Sequence, residues 1–312
     1  MLNVVYITSR KQPQFQWFYD SLIREADGNL TDIRLILVSK HGVDVLSDLD
    51  TSMGSYPILT TKPKPSVWQG QHRLTKEDWF AASNARNTGL CYAQDGYIVY
   101  ADDLSVIMPG WLSAVREALT GNYVVCGAYK KVRGLEVRRG VATHYEEFLG
   151  GMDQRWAYVN SDPTPAQTGW LFGCSCGMPV EALLAVNGWP EACDGLGFED
   201  CCMGIVLYNA GYGMKYDRRM LTLESEELHH VEPAPRKEDW HFEDGKPVTG
   251  GNNHEDKSHA ILHIAQQSKS FPNYFGAGGI RELREKILAG GEFPVMGIPE
   301  HDWYAKIALK DL

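Results

Sequence analysis

The chain has 312 residues, of which 44% are hydrophobic and 22% are charged. These fractions are typical of a soluble globular protein and exclude a mainly disordered or fibrous chain. The 40 Asp and Glu residues outnumber the 30 Lys and Arg residues, and the resulting formal net charge is −10. This charge argues against broad electrostatic attraction to nucleic acid or to an anionic membrane. The length suits one large α/β domain or two modest ones.

Export and membrane signals are not visible in the sequence. No apolar run approaches the ~20 residues that span a bilayer. The opening MLNVVYITSR lacks the basic segment and the small-residue cleavage site of a secretory signal. Seven cysteines, an odd number, favour reduced thiols. We therefore expect a cytoplasmic protein, soluble or peripheral to the membrane, without a transmembrane anchor.

Four of the cysteines raise the question of a zinc site: Cys174, Cys176, Cys201 and Cys202. Adjacent cysteines rarely ligate one ion well, and the paired CxxC spacing of zinc sites is missing. Free cysteines are usually small buried core residues. The sequence therefore favours core cysteines over a zinc site.

The first elements in chain order predict a βαβ unit. Residues 2–8 form a β-rich run, residues 15–26 have helical spacing, and residues 33–38 are a continuous apolar run typical of a strand buried on both faces. Strand, helix and strand in this order predict a parallel sheet. Residues 41–80 are less regular, and a long loop of this kind often belongs to a binding site.

The later elements alternate between helix and strand. In chain order, the sequence predicts a helix over 81–93, a strand over 97–101, a helix over 109–119, a strand over 123–129, an irregular charged segment over 134–165, a strand over 170–176, helices over 179–186 and 197–210, short strands over 212–216 and 220–223, and a late helix over 280–288. Residues 231–258 are rich in Pro, Gly and charge and resemble a tail or lid.

Two adjacent carboxylates, Asp102 and Asp103, follow the apolar strand over 97–101. Ligands of open α/β sheets bind outside the carboxyl ends of strands. Adjacent carboxylates raise each other's pKa unless a cation lies between them or water solvates them. Mg²⁺ or Mn²⁺ prefers such oxygen ligands and can also hold a diphosphate. Two solvated loop acids remain the alternative.

A second acidic pair, Glu199 and Asp200, opens the helix over 197–210. Capping of the helix N-terminus is one explanation, and a general base at Asp200 is the other. About thirty residues later, His229 and His230 offer imidazole ligands for Mn²⁺ or a similar ion. Because adjacent side chains on an extended segment point opposite ways, at most one of them faces a given site. Surface histidines are the alternative.

Three arginines are candidates for binding phosphate: Arg10, Arg73 and Arg86. The planar guanidinium of Arg matches phosphate oxygens, although each of the three could also be a solvated surface residue. Trp68 could stack on a base or a sugar, and a partly buried loop Trp is equally consistent with the sequence.

These pieces occur in an order that resembles the family-two glycosyltransferases. The run ARNTGLCYAQDGYIVYADDLSVIMPGWL resembles that family's A-R-N-x-G segment, strand, acidic residues and P-x-W-L. The run VNGWPEACDGLGFEDCCMGIVLYNAGY looks like its second signature, and VVYITSRKQPQFQWFYDSL resembles its first strand and helix. The resemblance covers about residues 2–223. It implies the GT-A fold, a Rossmann-like α/β domain whose mixed, mostly parallel sheet is flanked by helices.

The resemblance also implies ligands and residue roles. The ligands are a nucleoside-diphosphate sugar, with a UDP-sugar favoured, and a divalent metal, Mn²⁺ or Mg²⁺. Asp102 and Asp103 match the DXD metal-binding segment, but Leu104 stands at its third position. The metal ligand is therefore Asp103 alone, or Asp103 helped by Ser105 or water.

The remaining roles come from the same resemblance. Asp200 matches the catalytic base and Glu199 a residue that orients the acceptor. Thr8, Arg10 and Arg86, with Asp102, match positions that hold the nucleotide, and one of His229 or His230 matches a late His that completes the metal shell. The loop from Trp68 to Arg73 would close over the donor and exclude water.

The expected organisation is a GT-A domain over residues 1–230, with a nucleotide-sugar half over about 1–105 and an acceptor half over about 106–230. Residues 231–312 would form a C-terminal extension, either a lid or a helical appendage. The segment over 134–165 is expected to be mobile or to face the acceptor.

The expected activity is that of a metal-dependent, inverting glycosyltransferase of the hexosyltransferase type. Its acceptor would be a hydroxyl of a saccharide or a glycolipid precursor. A phage-type enzyme acting on a hydroxylated DNA base is an alternative, supported by a local basic run: Lys130, Lys131, Arg133, Arg138 and Arg139. A non-catalytic nucleotide- or glycan-binding protein is another. A nucleotidyltransferase ranks last, because residues 8–13 contain no glycine for a phosphate loop.

Overall fold

The computed structural model describes residues 1–66, 81–194, 197–230, 242–243, 246–247, 262–273, 275 and 278–294. Trp68 and Arg73, and with them the predicted loop over the donor, lie outside the described residues. Most of the tail or lid predicted over 231–258 lies outside them as well.

Ten strands of the described residues share one sheet. They are β1 (Leu2–Thr8), β2 (Ile33–Ser39), β3 (Ile58–Thr61), β4 (Tyr97–Asp102), β5 (Ser105–Ile107), β6 (Val124–Arg138), β7 (Val141–Met152), β8 (Thr164–Pro165), β9 (Ser175–Pro179) and β10 (Met214–Ser225). The order is β3-β2-β1-β4-β9-β6-β10-β5, with β7 beside β6 and β8 beside β10. Two short strands, β11 (Phe242–Glu243) and β12 (Lys246–Pro247), form a separate antiparallel pair.

The first four strands in this order are mutually parallel. Beyond them, β9 runs antiparallel to both β4 and β6, and β6 and β10 are again parallel. In the ladder between β1 and β4, Ile7 lies opposite Asp102. The carboxyl ends of these two strands therefore meet at one edge of the sheet, where the sequence predicts the site.

Helices cover both faces of the sheet. They are α1 (Phe15–Glu25), α2 (Ala82–Tyr92), α3 (Trp111–Gly121), α4 (Val180–Ala185), α5 (Glu199–Asn209) and α6 (Ile280–Leu288). Successive side chains of a strand point to opposite faces, so Val4 and Tyr6 join the core under α1 and α3, while Val5 and Ile7 join the core under the other helices. The predicted βαβ start and the predicted α/β class with a mixed sheet are confirmed.

The prediction of an irregular segment over 134–165 is wrong for most of its length. Strands β6 and β7 form a long antiparallel hairpin. Its turn residues Arg139 and Gly140 have φ values of 47° and 71°, which suit the two-residue turns favoured in hairpins. After Val132, Leu135 and Val137 are half-buried and alternate with exposed residues. Residues 143–147 of β7, however, are exposed on both faces, so the hydrophobic alternation that identifies a strand is missing from the second strand of the hairpin.

Two further strand predictions need correction. Instead of a strand over 170–176, a 3₁₀ turn spans Thr168–Trp170 and β9 begins at Ser175. Instead of two short strands, β10 runs continuously through a bulge between Asp217 and Leu221. The bulge interrupts the ladder, and this irregularity made one strand resemble two.

The described residues after position 261 pack against α2 and the hydrophobic core beneath it. Helix α6 contacts α2, and Phe271 and Ile287 belong to the core that also contains Val5 and Ile7. The Arg284 Nε donates to the carbonyl of Ala93 at 3.0 Å. None of the helices in the described ranges is long and apolar enough to cross a membrane.

Candidate functional site

Two residues at the end of β1, Thr8 and Arg10, bind the carboxylate of Asp103, which follows β4. The Thr8 hydroxyl donates to Asp103 Oδ2 at 2.6 Å, and Arg10 Nε lies 3.3 Å from the same oxygen. The Arg10 amide donates to the Thr8 hydroxyl at 3.0 Å. Burial raises the pKa of Asp103 to about 6, although the Thr8 hydrogen bond and the Arg10 charge lower it. Thr8, Arg10 and Asp103 therefore form one unit, as their positions at strand ends predict.

Leu104, which occupies the position of the second carboxylate in a DXD motif, points into the core. Leu104 is buried, has a left-handed φ of 61°, and donates its amide to the Pro13 carbonyl at 3.0 Å. The hydroxyl of Ser105, a fully buried residue, donates to the Asp102 carbonyl at 2.7 Å. Through this hydrogen bond Ser105 stabilises the turn that follows β4.

Arg86 joins the two acidic pairs. From α2, its Nη2 lies 3.1 Å from Asp102 Oδ1 and its Nη1 lies 3.1 Å from Glu199 Oε1. The guanidinium carbon is 4.7 Å from the centre of the Trp189 ring. Burial lowers the pKa of Arg86, but Asp102 and Glu199 more than offset it and hold the pKa above its ordinary value. Asp102 and Glu199, which are far apart in the sequence, thus share one cation.

Glu199 and Asp200 occupy the first turn of α5. Asp200 Oδ1 accepts from the Cys201 amide at 2.8 Å, as expected for a carboxylate at a helix N-terminus. Burial, followed by the Glu199 charge, raises the pKa of Asp200 to about 6, although Arg86 lowers it. A carboxylate with this pKa is ionised at neutral pH and basic enough to accept a proton.

His229 lies in a short 3₁₀ turn after β10. Its Nε2 is 3.3 Å from Glu224 Oε2, and its carbonyl accepts from Arg10 Nη2 at 3.4 Å. When its imidazole is protonated, His229 also lowers the pKa of Asp103. The side chain of His230 lies outside what the structure describes.

Glu224 is a further candidate site residue, which the sequence analysis did not single out. It lies at the carboxyl end of β10 and is only 4% exposed, and its Oε1 has no hydrogen-bond partner among the described residues. Its charge raises the pKa of Asp102. The rule that singled out Asp102, a carboxylate at the carboxyl end of a buried strand, could have found Glu224 as well.

The candidate metal ligands offer only a few donor atoms to a divalent ion. Among described residues, no three His, Cys, Asp or Glu side chains are placed to hold one metal ion together, which also counts against the zinc alternative. Mg²⁺ and similar ions are, however, commonly bound by one or two carboxylates plus substrate phosphates. Asp103 Oδ1 makes no hydrogen bond with any described residue. The residues therefore fit an ion whose shell a diphosphate completes.

The basic run of the β6–β7 hairpin has acidic partners. Lys130 Nζ lies 2.6 Å from Glu147 Oε1, and Arg138 Nη2 lies 3.5 Å from Glu136 Oε2. In the hairpin register, Arg133 lies opposite Glu146. Because these charges compensate one another, the hairpin gives no support to the DNA alternative.

No protein-family model and no curated protein matches the chain, but solved structures do. GalNAc-T7 with UDP, GalNAc and Mn²⁺ matches with 12% identity and a TM-score of 0.50, over 96% of this chain and 60% of that one. S. aureus TarS 1–349 matches with 12% identity and a TM-score of 0.47, over 72% and 60%, and its complex with UDP-GlcNAc gives 11%, 0.46, 72% and 58%.

The chain thus spans about three-fifths of the length of GalNAc-T7. At 12% identity, the match supports a shared fold. Helices on both faces of the mixed sheet, with a site at the carboxyl ends of β1 and β4, agree with it. The chain has a GT-A fold like that of the nucleotide-sugar glycosyltransferases.

Proposed function

We propose that this protein transfers a sugar from a nucleoside-diphosphate sugar, with UDP as the favoured nucleotide, to an acceptor hydroxyl. One observation carries the proposal: Arg86 contacts both Asp102, beside the expected donor site, and Glu199, beside the expected base. The fold supports it, since GalNAc-T7, a solved structure that resembles this chain, was crystallised with UDP, GalNAc and Mn²⁺.

The charge of the site favours a divalent cation. Five carboxylates and two guanidinium groups lie close together: those of Asp102, Asp103, Glu199, Asp200, Glu224, Arg10 and Arg86. With all of them ionised, three negative charges are uncompensated. In this proposal Asp103 and His229 hold the ion, which when bound neutralises charge on the leaving diphosphate.

Asp200 is the proposed general base. It would accept the proton of the acceptor hydroxyl as that oxygen attacks the anomeric carbon on the face opposite the diphosphate, which inverts the configuration. Glu199, fixed by Arg86 at 3.1 Å, would orient the acceptor. Thr8 and Arg10 would hold Asp103 towards the diphosphate.

The proposed acceptor is a saccharide or a glycolipid precursor. Phe198, directly before the acidic pair, is 51% exposed, and an exposed aromatic ring offers an apolar surface to the carbon-bound hydrogens of a sugar ring. The presence of Glu199 and Asp200 in one helical turn favours an enzyme over a binding protein that lacks activity.

The test is a thermal-shift screen of UDP-, GDP-, TDP- and CMP-sugars, each with Mn²⁺ and with EDTA, followed by an assay of nucleotide release. A ligand that binds only the native state raises the melting temperature. We expect a metal-dependent shift with one nucleotide and slow release of that nucleotide. No shift with any sugar and no release would overturn the proposal.

A further inference from the structure

We propose that Glu224 is a positioning residue that fixes the tautomer of His229, with hydrogen on Nε2 and the lone pair of Nδ1 free to ligate a divalent ion. The inference rests on the proposed function for the identity of the ligand. The tautomer itself depends only on the contact between the two side chains.

The backbone of Glu224 is held on both sides. Its Cα lies opposite Ser105 in the ladder with β5 and beside Lys131 in the ladder with β6. Its Oε2 is 3.3 Å from His229 Nε2, and its side chain is only 5% exposed. A carboxylate oxygen accepts hydrogen bonds, so this contact favours the tautomer with hydrogen on Nε2. A neutral imidazole then has its lone pair on Nδ1.

A purely structural role would leave Glu224 with its hydrogen bonds complete. Buried polar groups are almost always hydrogen-bonded, and an exception calls for an explanation. Glu224 Oε1 is buried and has no partner among the residues that the structure describes. The carboxylate therefore stands in an unfavourable place, close enough to Asp102 to raise the pKa of that residue. A role in orienting His229 explains its position.

Arg10 fixes the other end of His229. Its Nη1 and Nη2 donate to the carbonyls of Leu228 and His229 at 3.3 and 3.4 Å, and its Nε lies 3.3 Å from Asp103 Oδ2. The same guanidinium thus ties the His229 backbone to Asp103, while Glu224 holds the ring edge. Carboxylates that orient a ligating histidine in this way raise its metal affinity.

The first test is the tautomer of His229 in the metal-free protein. Nitrogen-15 NMR of histidine-labelled protein, with the signal assigned by comparison with His229→Gln, distinguishes the two neutral forms. We expect hydrogen on Nε2 in the unchanged chain and a mixture in Glu224→Gln, whose amide can donate or accept. Hydrogen on Nδ1 in the unchanged chain would overturn the inference. This measurement on the unchanged chain remains decisive even if Glu224→Gln does not fold.

The second test is a double-mutant cycle on Mn²⁺ affinity, measured by calorimetry in the presence of UDP. Loss of an outer partner of a metal ligand typically costs 10–100-fold in affinity, so Glu224→Gln is expected to lose about that much. In the His229→Gln background the same change should have no further effect, because the two residues act as one unit. An equal loss in both backgrounds, or no loss at all, contradicts the inference.

Failure of the proposed function and failure of the positioning role of Glu224 give different results. If no nucleotide sugar binds but His229 carries hydrogen on Nε2, the proposed function fails and the positioning role stands. If donor sugars bind and turn over but Glu224→Gln leaves Mn²⁺ affinity unchanged, the positioning role fails alone.

Discussion

Asp102 and Asp103 are adjacent in sequence, yet each is bound by a different arginine. Asp103 pairs with Arg10 from the end of β1, and Asp102 pairs with Arg86 from α2. The two carboxylates therefore have separate partners: Asp103 belongs to the cluster with Thr8 and His229, and Asp102 belongs to the link with Glu199. This separation lets their contributions be tested one at a time.

Asp200→Asn is expected to lower the transfer rate about 10²–10⁴-fold, the usual contribution of a general base, while donor binding is nearly unchanged. An amide of the same size cannot accept the acceptor's proton. Transfer kinetics and calorimetry with the donor measure the two effects. Asp32→Asn, at an exposed residue paired with Arg116, is the control. Normal turnover in Asp200→Asn would remove this residue from its role.

Asp103→Ala is expected to weaken donor binding at least about tenfold when metal is present and to have a smaller effect in EDTA. The reason is that Asp103 is the proposed carboxylate ligand of the ion. Calorimetric titration of UDP with Mn²⁺ and with EDTA separates the two conditions. Metal-dependent affinity equal to that of the unchanged chain would exclude Asp103 as a ligand.

Arg86→Met is expected to reduce the free energy of unfolding by about 3 kcal/mol, the lower end of the range for buried pairs, because it leaves the half-buried carboxylates of Asp102 and Glu199 uncompensated. Arg116→Met is the matched control, since Arg116 and Asp32 are exposed and such pairs contribute about 0–1 kcal/mol. Urea unfolding of both variants provides the comparison. Equal losses would mean that the Arg86 link is no stronger than a surface ion pair.

The pH dependence of transfer should follow Asp200. Its pKa is raised to about 6, so the carboxyl becomes protonated below that pH and cannot act as a base. We expect kcat/KM to fall roughly tenfold for each pH unit below about 6. The profile should be measured with saturating Mn²⁺. A rate that stays constant down to pH 5 would contradict the assignment.

The raised pKa of Asp200 also makes stability depend on pH, but here a lower pH is favourable, whereas it is unfavourable for transfer. The folded chain binds the Asp200 proton more tightly than the unfolded chain, whose carboxyl has a pKa near 3.8. The contribution of Asp200 to the free energy of unfolding is therefore complete below about pH 4 and is lost as the pH rises through about 6. Asp200→Asn should gain stability relative to the unchanged chain over this interval.

A control of opposite sign is available for this prediction. Hydrogen bonds from Ser52 lower the pKa of the exposed Asp50, so Asp50→Asn should lose stability relative to the unchanged chain at neutral pH and recover as the pH falls. Urea unfolding across the pH range measures both variants. Parallel curves for Asp200→Asn and the unchanged chain would rule out a raised pKa at Asp200.

The sequence predicted the elements that carry strong hydrophobic contrast. Strands β1, β2 and β4 are buried along most of their length, and their apolar runs locate both them and the carboxylates that follow. The β6–β7 hairpin was missed because the alternation around Leu135 and Val137 is short and residues 143–147 of β7 are exposed on both faces. Glu224 follows the predicted strand over 220–223, so the strand-end rule applies to it, but only the structure places it beside His229.

The long-range link through Arg86 was equally hidden in the sequence. The resemblance implied that Arg86 helps to hold the nucleotide, and that role stays a prediction. The structure adds that its guanidinium lies between Asp102 and Glu199. Spacing along the chain cannot predict which carboxylates a buried cation reaches, because that choice depends on how α2 and α5 pack. The assignments of Trp68 and Arg73 remain predictions.

The packing of α6 against α2 supports the helix that carries Arg86. Helix α2 carries Arg86 on one side, while Tyr92 at its end meets the Phe293 ring, with ring centres 5.9 Å apart. The Ile280 amide is held by Asn187 Oδ1 at 2.9 Å. A truncation after residue 230 would therefore strip the outer support from the helix that joins the two acidic pairs. We therefore expect substitutions in α6, which belongs to the part of the chain without a recognisable motif, to lower activity by shifting α2 and Arg86.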